Sequence, residues 1–320
     1  VRYVQQPTST AADQNIAPAV TVEIVDAFGN RTSDTDNITL TLGNNPGGGV
    51  LTGGGPVAAV AGLATFNSVN ITKVGTCYTL VASSGALTSA TSSCFNITPG
   101  TKNKLAFVQQ PSNTAAGSTI TPAVTVQILD INDNRTADTD NITLAIGTNP
   151  GGGVLTGGGP VAAVAGRATF NGLSINAVGA GYTLTASSGA LTGATSSAFD
   201  ITPAAADHLT ITVQPTTTAA DGTLTPGVKV EIRDASNNKV TAATNAVTVA
   251  ILNNAGGGTL TGTLTKGASG GEVTFSDLNI DKVGTGYTLR FTAAGLVQAD
   301  SNPFNITLGT PNKVVFVQQP

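Results

Sequence analysis

Acidic and amide side chains follow a predicted strand in two related parts of the chain, and oxygen-rich clusters of this kind are typical of calcium sites. One cluster comprises Asp130, Asn132, Asp133, Asp138 and Asp140, and the other comprises Asp26, Asp34 and Asp36. The spacing lacks the glycine at position six and the glutamate at position twelve of an EF-hand loop. Because Asp and Asn also cap turns without any ion, two interpretations stay open, a calcium site and a set of capped turns.

Residues that could support catalysis are scarce. His208 is the only histidine, and it aligns with Lys104 and Lys313, which indicates an exposed cationic position rather than a general base. Three glutamates leave little for hydrolysis by paired carboxylates. The two NPGGGV tracts lack the Gly-Lys-Ser/Thr of a phosphate-binding loop, so we interpret them as wide turns. The sequence therefore predicts no enzyme, no catalytic residue and no cofactor beyond the calcium considered above.

Cys77 and Cys94 are the only cysteines. If a hairpin turn centres on Gly85 and Ala86, facing residues have numbers that sum to 171, and the two cysteines face each other. Counting outward from the turn makes them a non-hydrogen-bonded pair, with Cα atoms about 4.5 Å apart, which suits a disulfide. Such a bond would lie on the outer face of its sheet and would indicate an oxidising compartment. A pair of free thiols is the alternative.

Asparagine-linked glycosylation is a further candidate modification. Asn-x-Ser/Thr sequons occur at Asn30, Asn37, Asn70, Asn96, Asn134, Asn141 and Asn305. A chain rich in Asn and Thr also produces sequons by chance, so their presence predicts acceptor sites and not their occupancy.

Charge and hydropathy exclude several classes of partner. The 14 Lys and Arg against 18 Asp and Glu leave a net charge of −4, too weak to favour nucleic acid. No apolar run approaches the roughly 20 residues that a membrane-spanning helix needs. The segment therefore predicts neither a nucleic-acid partner nor a membrane span.

These candidate residues must be positioned by repeated units. LAFVQQP at 105–111 recurs as VRYVQQP, LTITVQP and VVFVQQP, and the closing prolines are spaced by 104, 104 and 105 residues. Residues 33–67 and 137–171 are identical at 30 of 35 positions. About 104 residues is the size of one β-sandwich domain. We therefore predict repeat 1 over 1–103, repeat 2 over 104–207, repeat 3 over 208–312 and the first strand of a further repeat over 313–320.

Strand periodicity supports this assignment. In PAVTVEIVD the side chains of Val20, Val22 and Ile24 alternate with Thr21 and Glu23, which predicts a buried face and an exposed face. Short alternating runs of this kind, separated by Gly, Pro and Asn turns, predict an all-β sandwich in each unit. The linkers TPGTKNK and TPAAADH are short, so we expect an elongated, semi-rigid rod.

Further motifs recur in every unit: DAFGNR, DINDNR and DASNNK after a strand, then G-x-(A/V)-T-F, then G-x-x-Y-T-L. In these motifs the chain resembles the bacterial immunoglobulin-like repeats of large surface proteins and invasin-type adhesins. The resemblance implies three tandem immunoglobulin-like sandwiches, with a tyrosine corner at Tyr78, Tyr182 and Tyr287. It also implies an extracellular or cell-surface location.

Two functions are consistent with the resemblance. Nearly identical repeats with few charges favour a stalk or a filament or fibre shaft, and the alternative is an adhesin module that contacts a host protein, a glycan or a neighbouring cell. The expected partners are neighbouring copies or further repeats of the same protein, joined by strand complementation or by lateral packing.

Overall fold

The computed structural model describes residues 1–311, 313–315 and 317. Within these residues the regular secondary structure is entirely β, as the alternating pattern predicts. No helix in this part of the chain is long and apolar enough to cross a membrane.

Repeat 1 contains twelve strands. They are β1 (Arg2–Gln5), β2 (Thr10–Ala11), β3 (Val20–Glu23), β4 (Asn37–Leu42), β5 (Leu51–Thr52), β6 (Val57–Ala58), β7 (Leu63–Phe66), β8 (Asn70–Ile71), β9 (Gly75–Tyr78), β10 (Leu80–Ser83), β11 (Ala90–Thr91) and β12 (Phe95–Thr98).

Repeat 2 follows the same order. Its strands are β13 (Lys102–Gln109), β14 (Thr114–Ala115), β15 (Val124–Asp130), β16 (Asn141–Ile146), β17 (Leu155–Thr156), β18 (Val161–Ala162), β19 (Arg167–Phe170), β20 (Ser174–Ile175), β21 (Gly179–Tyr182), β22 (Leu184–Ser187), β23 (Ala194–Thr195) and β24 (Phe199–Thr202).

Repeat 3 has longer central strands. They are β25 (Ala206–Val213), β26 (Thr218–Ala219), β27 (Val228–Asp234), β28 (Ala246–Asn253), β29 (Leu260–Thr261), β30 (Thr265–Gly267), β31 (Glu272–Phe275), β32 (Asn279–Ile280), β33 (Gly284–Ala293), β34 (Ala299–Asp300) and β35 (Phe304–Thr307).

Each sandwich has two main layers, and a separate two-stranded sheet in each repeat pairs β5 with β8, β17 with β20 and β29 with β32. In repeat 1 one sheet has the order β1-β3-β7, and the second combines β2-β12-β9 with β11-β10-β4-β6. Only Thr79 separates β9 from β10, and the corresponding stretch of repeat 3 is the single strand β33, in a sheet ordered β26-β35-β33-β28-β30. The strand pairs are antiparallel, except that β2, β14 and β26 run parallel to the last strand of their repeat.

Buried apolar side chains form three clusters, which run from Tyr3 to Ile97, from Leu105 to Ile201 and from Leu209 to Ile306. Each cluster lies within one of the predicted units. In repeat 1, Val22 stands opposite Tyr3 on β1 and opposite Ala64 on β7, so the inward residues of three strands pack together. The unit boundaries themselves stay predictions.

Glu23 differs from the prediction. Alternation places it on the exposed face, yet the residue is only 4% exposed because Arg2 and Arg31 cover its carboxylate. The hydrogen bond from Arg31, at 2.7 Å, lowers the pKa of Glu23 and outweighs the opposing effect of burial. A charged residue is thus buried with both partners in place, and strand periodicity alone does not show such pairing.

The linkers are as short as the sequence indicates. Three residues separate β12 from β13, and three separate β24 from β25. The predicted first strand of a further repeat, over 313–320, lies partly outside the described residues, and 313–315 are not in a strand.

Candidate functional site: the joints between repeats

The same five-residue loop follows the second long strand of each repeat. It begins with Asp and ends with Asn, at 26–30, 130–134 and 234–238. The Asp carboxylate accepts hydrogen bonds from main-chain N–H groups two and four residues later, for example from Asn132 at 2.9 Å and from Asn134 at 2.9 Å. The residue before the Asn has a positive φ in all three loops, 84°, 63° and 69° in turn. The Asp-x-x-x-Asn spacing therefore builds one local structure three times.

In repeat 2 this loop lies against the end of repeat 1, and we call the contact the first joint. The side chain of Asn134 donates to the main-chain oxygen of Thr72 at 2.8 Å and accepts from the main-chain N–H of Val74 at 3.1 Å. The Lys73 ammonium donates to the main-chain oxygen of Asn132. One amide side chain therefore pairs with two main-chain groups of its neighbour.

The linker closes the first joint from the other side. The N–H of Gly100 donates to the Asp130 carboxylate at 2.8 Å, and the Asn134 amide donates to the same oxygen at 2.8 Å. Asp130 and Asn134 are 1% and 6% exposed, respectively. Loop, linker and preceding repeat thus share one buried set of hydrogen bonds.

Repeats 2 and 3 meet in a second joint with the same geometry. Asn238 donates to the main-chain oxygen of Asn176 at 2.9 Å and accepts from the N–H of Val178 at 3.1 Å. The N–H of Ala204 in the linker donates to Asp234 at 3.0 Å, and Asp234 is fully buried. Because the two joints use the same atoms at equivalent positions, the arrangement is a property of the repeat.

A buried tyrosine holds the segment that each loop contacts. The hydroxyl of Tyr78 donates to the main-chain oxygen of Lys73 at 2.8 Å, and Tyr182 and Tyr287 donate equivalently to Ala177 and Lys282, both at 2.9 Å. A hydroxyl that bonds the backbone a few residues upstream, at the edge of a two-sheet sandwich, is the tyrosine corner. Each repeat is an immunoglobulin-like β-sandwich.

Comparison with known proteins finds only distant similarity to solved structures. No protein-family model matches the chain, and no curated protein matches it. The Escherichia coli adhesin FdeC is 14% identical, with a TM-score of 0.36 over 97% of this chain and 96% of FdeC. Domains 4–9 of the surface layer protein SbsC are 17% identical, with a TM-score of 0.26 over 97% of this chain and 47% of that one. Invasin, a bacterial integrin-binding protein, is 15% identical, with a TM-score of 0.29 over 96% of this chain and 59% of invasin.

The immunoglobulin-like repeats of this chain keep the two joint carboxylates charged. Burial raises the pKa of Asp130, but the hydrogen bonds from Asn134, Gly100 and Asn132 outweigh it and lower the pKa below its ordinary 3.8. For Asp234, burial is likewise outweighed by bonds from Ala204, Asn238 and Ser236. Each joint therefore depends on an ionised carboxylate.

Acid should open the joints. A carboxylate whose pKa is lower in the folded state stabilises that state fully above its unfolded pKa, and the contribution disappears as the pH falls through the folded pKa. We expect small-angle X-ray scattering to show constant dimensions from pH 8 to pH 5 and a wider distribution of dimensions below about pH 4, while circular dichroism still reports β-structure. Dimensions that stay constant as the pH falls until circular dichroism reports loss of the β-structure would contradict this role for Asp130 and Asp234.

The carboxylates considered as calcium ligands have other partners. Asp130 binds main-chain N–H groups, Asp133 contacts Lys104 at 2.8 Å, and Asp140 contacts Lys102 at 2.6 Å with Asp138 at 3.7 Å from the same ammonium. Asp26 accepts from its own loop, and Asp34 and Asp36 are exposed. Among the described residues no three His, Cys, Asp or Glu side chains gather as a metal site would require. Of the two interpretations, the geometry favours capped turns, and calcium stays a prediction.

The sequons differ in exposure. Asn30, Asn37, Asn96 and Asn141 are exposed, whereas Asn70 and Asn305 are half-buried. Asn134 is buried in the first joint, with both ends of its amide bonded. A glycan on that nitrogen would have to displace repeat 1, so the structure argues against Asn134 as an acceptor. Occupancy of the other sites stays a prediction.

The disulfide joins Cys77 and Cys94, with Cα atoms 4.5 Å apart. The turn does centre on Gly85 and Ala86, but the predicted register is wrong. Val81 faces Thr91 and Tyr78 faces Phe95, so the return strand carries extra residues and the sums are 172 and 173.

Cys77 lies in a β-bulge rather than in a regular pair. The register between β9 and β12 shifts between Phe95 and Ile97, and the N–H of Cys77 donates to the Asn96 side chain at 2.9 Å. Its φ is +65°, in the left-handed region, where repeats 2 and 3 have Gly181 and Gly286. The bond does lie on the outer surface, since Cys94 is exposed and Cys77 is half-buried.

The alignment of His208 with Lys104 and Lys313 predicts an exposed cationic position. His208 lies instead in β25, half-buried, with its ring Nδ1 3.0 Å from the Asp207 carboxylate. Packing of the linker strand against the next strand explains the difference, since His208 faces Arg233 on β27.

The joint asparagines are the functional residues that the sequence analysis missed. From the sequence alone, Asn134 is a sequon and Asp130 is a candidate calcium ligand, and no role is predicted for Asn238. The available signal was the Asp-x-x-x-Asn spacing, which recurs in every repeat although the residues between differ.

Proposed function

We propose that this chain is a stalk or shaft segment of an extracellular surface protein, in which successive immunoglobulin-like repeats are held at a fixed angle. The observation that supports it most is the repeated joint, in which an asparagine and an aspartate from one repeat bond to main-chain groups of its neighbour and of the linker. Such a joint fixes the orientation of each repeat relative to the next one, as a rigid spacer requires.

The chemical character of the joint contacts suits a role as a shaft. They consist of hydrogen bonds to main-chain atoms, which any repeat with the same backbone can supply. Position 73 is Lys in repeat 1, whereas the equivalent position 177 is Ala in repeat 2, and the two amide bonds are the same. Units can therefore be added to the array without a specific new interface.

The exposed disulfide supports an extracellular location. Cys94 is exposed, and a reducing cytosol would keep such thiols free. The adhesin and surface-layer proteins that resemble this chain in fold have the same kind of location, which is consistent with the proposal.

Loss of the joint amides should make the array flexible. In Asn134→Ala/Asn238→Ala each joint loses the two hydrogen bonds that cross between repeats, at a cost of about 1 kcal/mol or more per joint, which multiplies the open population at least about fivefold. We expect small-angle scattering in dilute solution to show one extended shape for the native chain and a broad distribution for the variant. Asn37→Ala/Asn141→Ala, at exposed equivalent positions on β4 and β16, is the matched control and should resemble the native chain.

A binding measurement on the native chain distinguishes the shaft function from the adhesin alternative. A shaft should show no saturable binding to glycans or cell-surface proteins on an array. Two results together would show that the chain is a binding module and not a shaft. The first is saturable binding at micromolar concentration or tighter, and the second is equal flexibility of the native and Asn134→Ala/Asn238→Ala chains.

A further inference from the structure

The outer face of one sheet carries an internal ion pair in repeats 1 and 3. This sheet is β1-β3-β7 in repeat 1, β13-β15-β19 in repeat 2 and β25-β27-β31 in repeat 3. In repeat 1 Glu23 accepts from Arg31 at 2.7 Å. In repeat 3 Lys239, which aligns with Arg31, contacts Glu272 at 3.0 Å and Glu231 at 3.4 Å. The cation that follows the Asp-x-x-x-Asn loop thus binds a carboxylate of its own sheet in both repeats.

Repeat 2 lacks this carboxylate and has a further cation. Gln127 stands where repeat 1 has Glu23, and Arg167 stands where repeat 1 has Leu63. The two positions face each other directly in both repeats, on β3 and β7 and on β15 and β19. Of the 35 aligned positions that include Arg167, 30 are identical, and Arg167 is the only one of the five differences that changes the charge. Both differences at this cross-strand pair therefore make repeat 2 more positive.

Arg135 and Arg167 are neighbours on this face. The side chain of Arg135 passes over Gly166, and its Cγ lies 3.2 Å from the position that a Cβ at Gly166 would take. Arg31 takes the same path over Gly62 in repeat 1. Both arginines of repeat 2 are exposed, and among the residues that the structure describes neither guanidinium has an ion-pair partner. Because like charges at neighbouring sheet positions repel each other, an anion between them would remove an unfavourable contact.

We propose that the guanidinium groups of Arg135 and Arg167 together bind a carboxylate or sulfate group of an acidic polysaccharide. The external oxyanion takes the place of the glutamate carboxylate that repeats 1 and 3 supply themselves. A guanidinium binds such a group through two parallel N–H donors, and it is more weakly hydrated than an ammonium group. The proposal rests on the shaft function and extends it, because it assigns the material that the side of the shaft contacts.

The surroundings of the two arginines favour a sugar chain as the source of the anion. Thr125 and Thr169 face each other two residues further along the same strands, and the half-buried Gln127 faces Arg167. Hydroxyl and amide groups can pair with the hydroxyl groups of a sugar. A carboxylate of a second copy is the alternative source. Most aspartates of this chain, however, already accept hydrogen bonds or form ion pairs within it.

Nuclear magnetic resonance of the arginine Nε–Hε groups in the full chain tests the site. Sodium glucuronate or sodium sulfate, added at an ionic strength held constant with chloride, should shift the signals of Arg135 and Arg167. We expect a dissociation constant on the order of millimolar, because exposed ion pairs are weak. The signals of Arg31 and Arg233 should move little, since their guanidinium groups already contact Glu23 and Glu231.

The other repeats supply the variants. Arg167→Leu introduces the residue of repeat 1 and should weaken binding of glucuronate about tenfold, as expected for the loss of one charged hydrogen-bond partner. Gln127→Glu restores the internal carboxylate, so it should abolish the shift at Arg135 and raise the unfolding midpoint of repeat 2. Lys282→Leu lowers the net charge equally at an exposed position of repeat 3 and should bind like the native chain.

A polymer distinguishes the two sources of the anion. Polygalacturonate should shift the signals of Arg135 and Arg167, and neutral dextran should not. Shifts that grow with protein concentration alone and that polygalacturonate does not produce would assign the site to a second copy and overturn the proposal. Shifts that Arg167→Leu and Gln127→Glu leave unchanged would also overturn it. A millimolar site is not saturated at micromolar concentration on an array, so the shaft function can be upheld while the oxyanion site fails.

Discussion

Replacing Asp234 by alanine should lower the free energy of unfolding of repeat 3 by about 2–4 kcal/mol, a large effect for one side chain. The carboxylate is fully buried and accepts from the N–H groups of Ala204, Ser236 and Asn238 at 2.8–3.0 Å. Alanine would leave these half-buried donors without their partner, and each unsatisfied buried donor costs about 1–3 kcal/mol. Asn238 would also lose the partner that orients its amide toward repeat 2.

The chain supplies its own control for this prediction. Asp26→Ala removes the same loop bonds in repeat 1, but there the donors are exposed and can bond to water. We expect a clearly smaller fall in the unfolding midpoint for Asp26→Ala than for Asp234→Ala, and Asp130→Ala should resemble the latter. Urea unfolding followed by circular dichroism gives the comparison. Equal effects of the three substitutions would show that the aspartate serves only its own loop.

The architecture could be predicted because it depends on local pattern. Alternation in Val20, Val22 and Ile24 places these side chains inside, and the structure buries all three. The tyrosine corner was implied by the resemblance to immunoglobulin-like repeats, and the structure has its bond between residues five apart in the chain. Patterns of this length are visible in one sequence.

The joints could not be predicted because they join residues about 60 positions apart. An Asn after a turn is equally typical of a cap, a sequon and an interface. The burial of Glu23 could not be predicted for the same reason. It depends on Arg2, which lies 21 residues earlier on a neighbouring strand, and the sequence does not show how the two strands are aligned. The cysteine register failed because a bulge shifts the pairing of the two strands, and in repeat 1 a cysteine stands at the bulge where the other repeats have glycine.

The bulge also explains what replaces the cysteines elsewhere. Cys77 has a φ of +65°, which costs a residue with a Cβ about 1–2 kcal/mol relative to glycine. Repeats 2 and 3 place Gly181 and Gly286 at this point, with φ of 83° and 91°. Repeat 1 therefore accepts an unfavourable backbone conformation and compensates for it with a covalent bond across the loop.

This compensation leads to the second prediction, which compares two ways of removing the bond. Cys77→Ala/Cys94→Ala should destabilise repeat 1 by up to about 3 kcal/mol, since the bond closes a loop with a sequence separation of 17. Cys77→Gly/Cys94→Ala reproduces the pair found in repeat 2 and should recover about 1–2 kcal/mol, because glycine adopts the left-handed conformation without strain. Urea unfolding of both variants beside the native chain measures the difference. Equal stability of the two variants would mean that the bulge relaxes once the bond is absent. Backbone strain would then not explain why repeats 2 and 3 have glycine at this position.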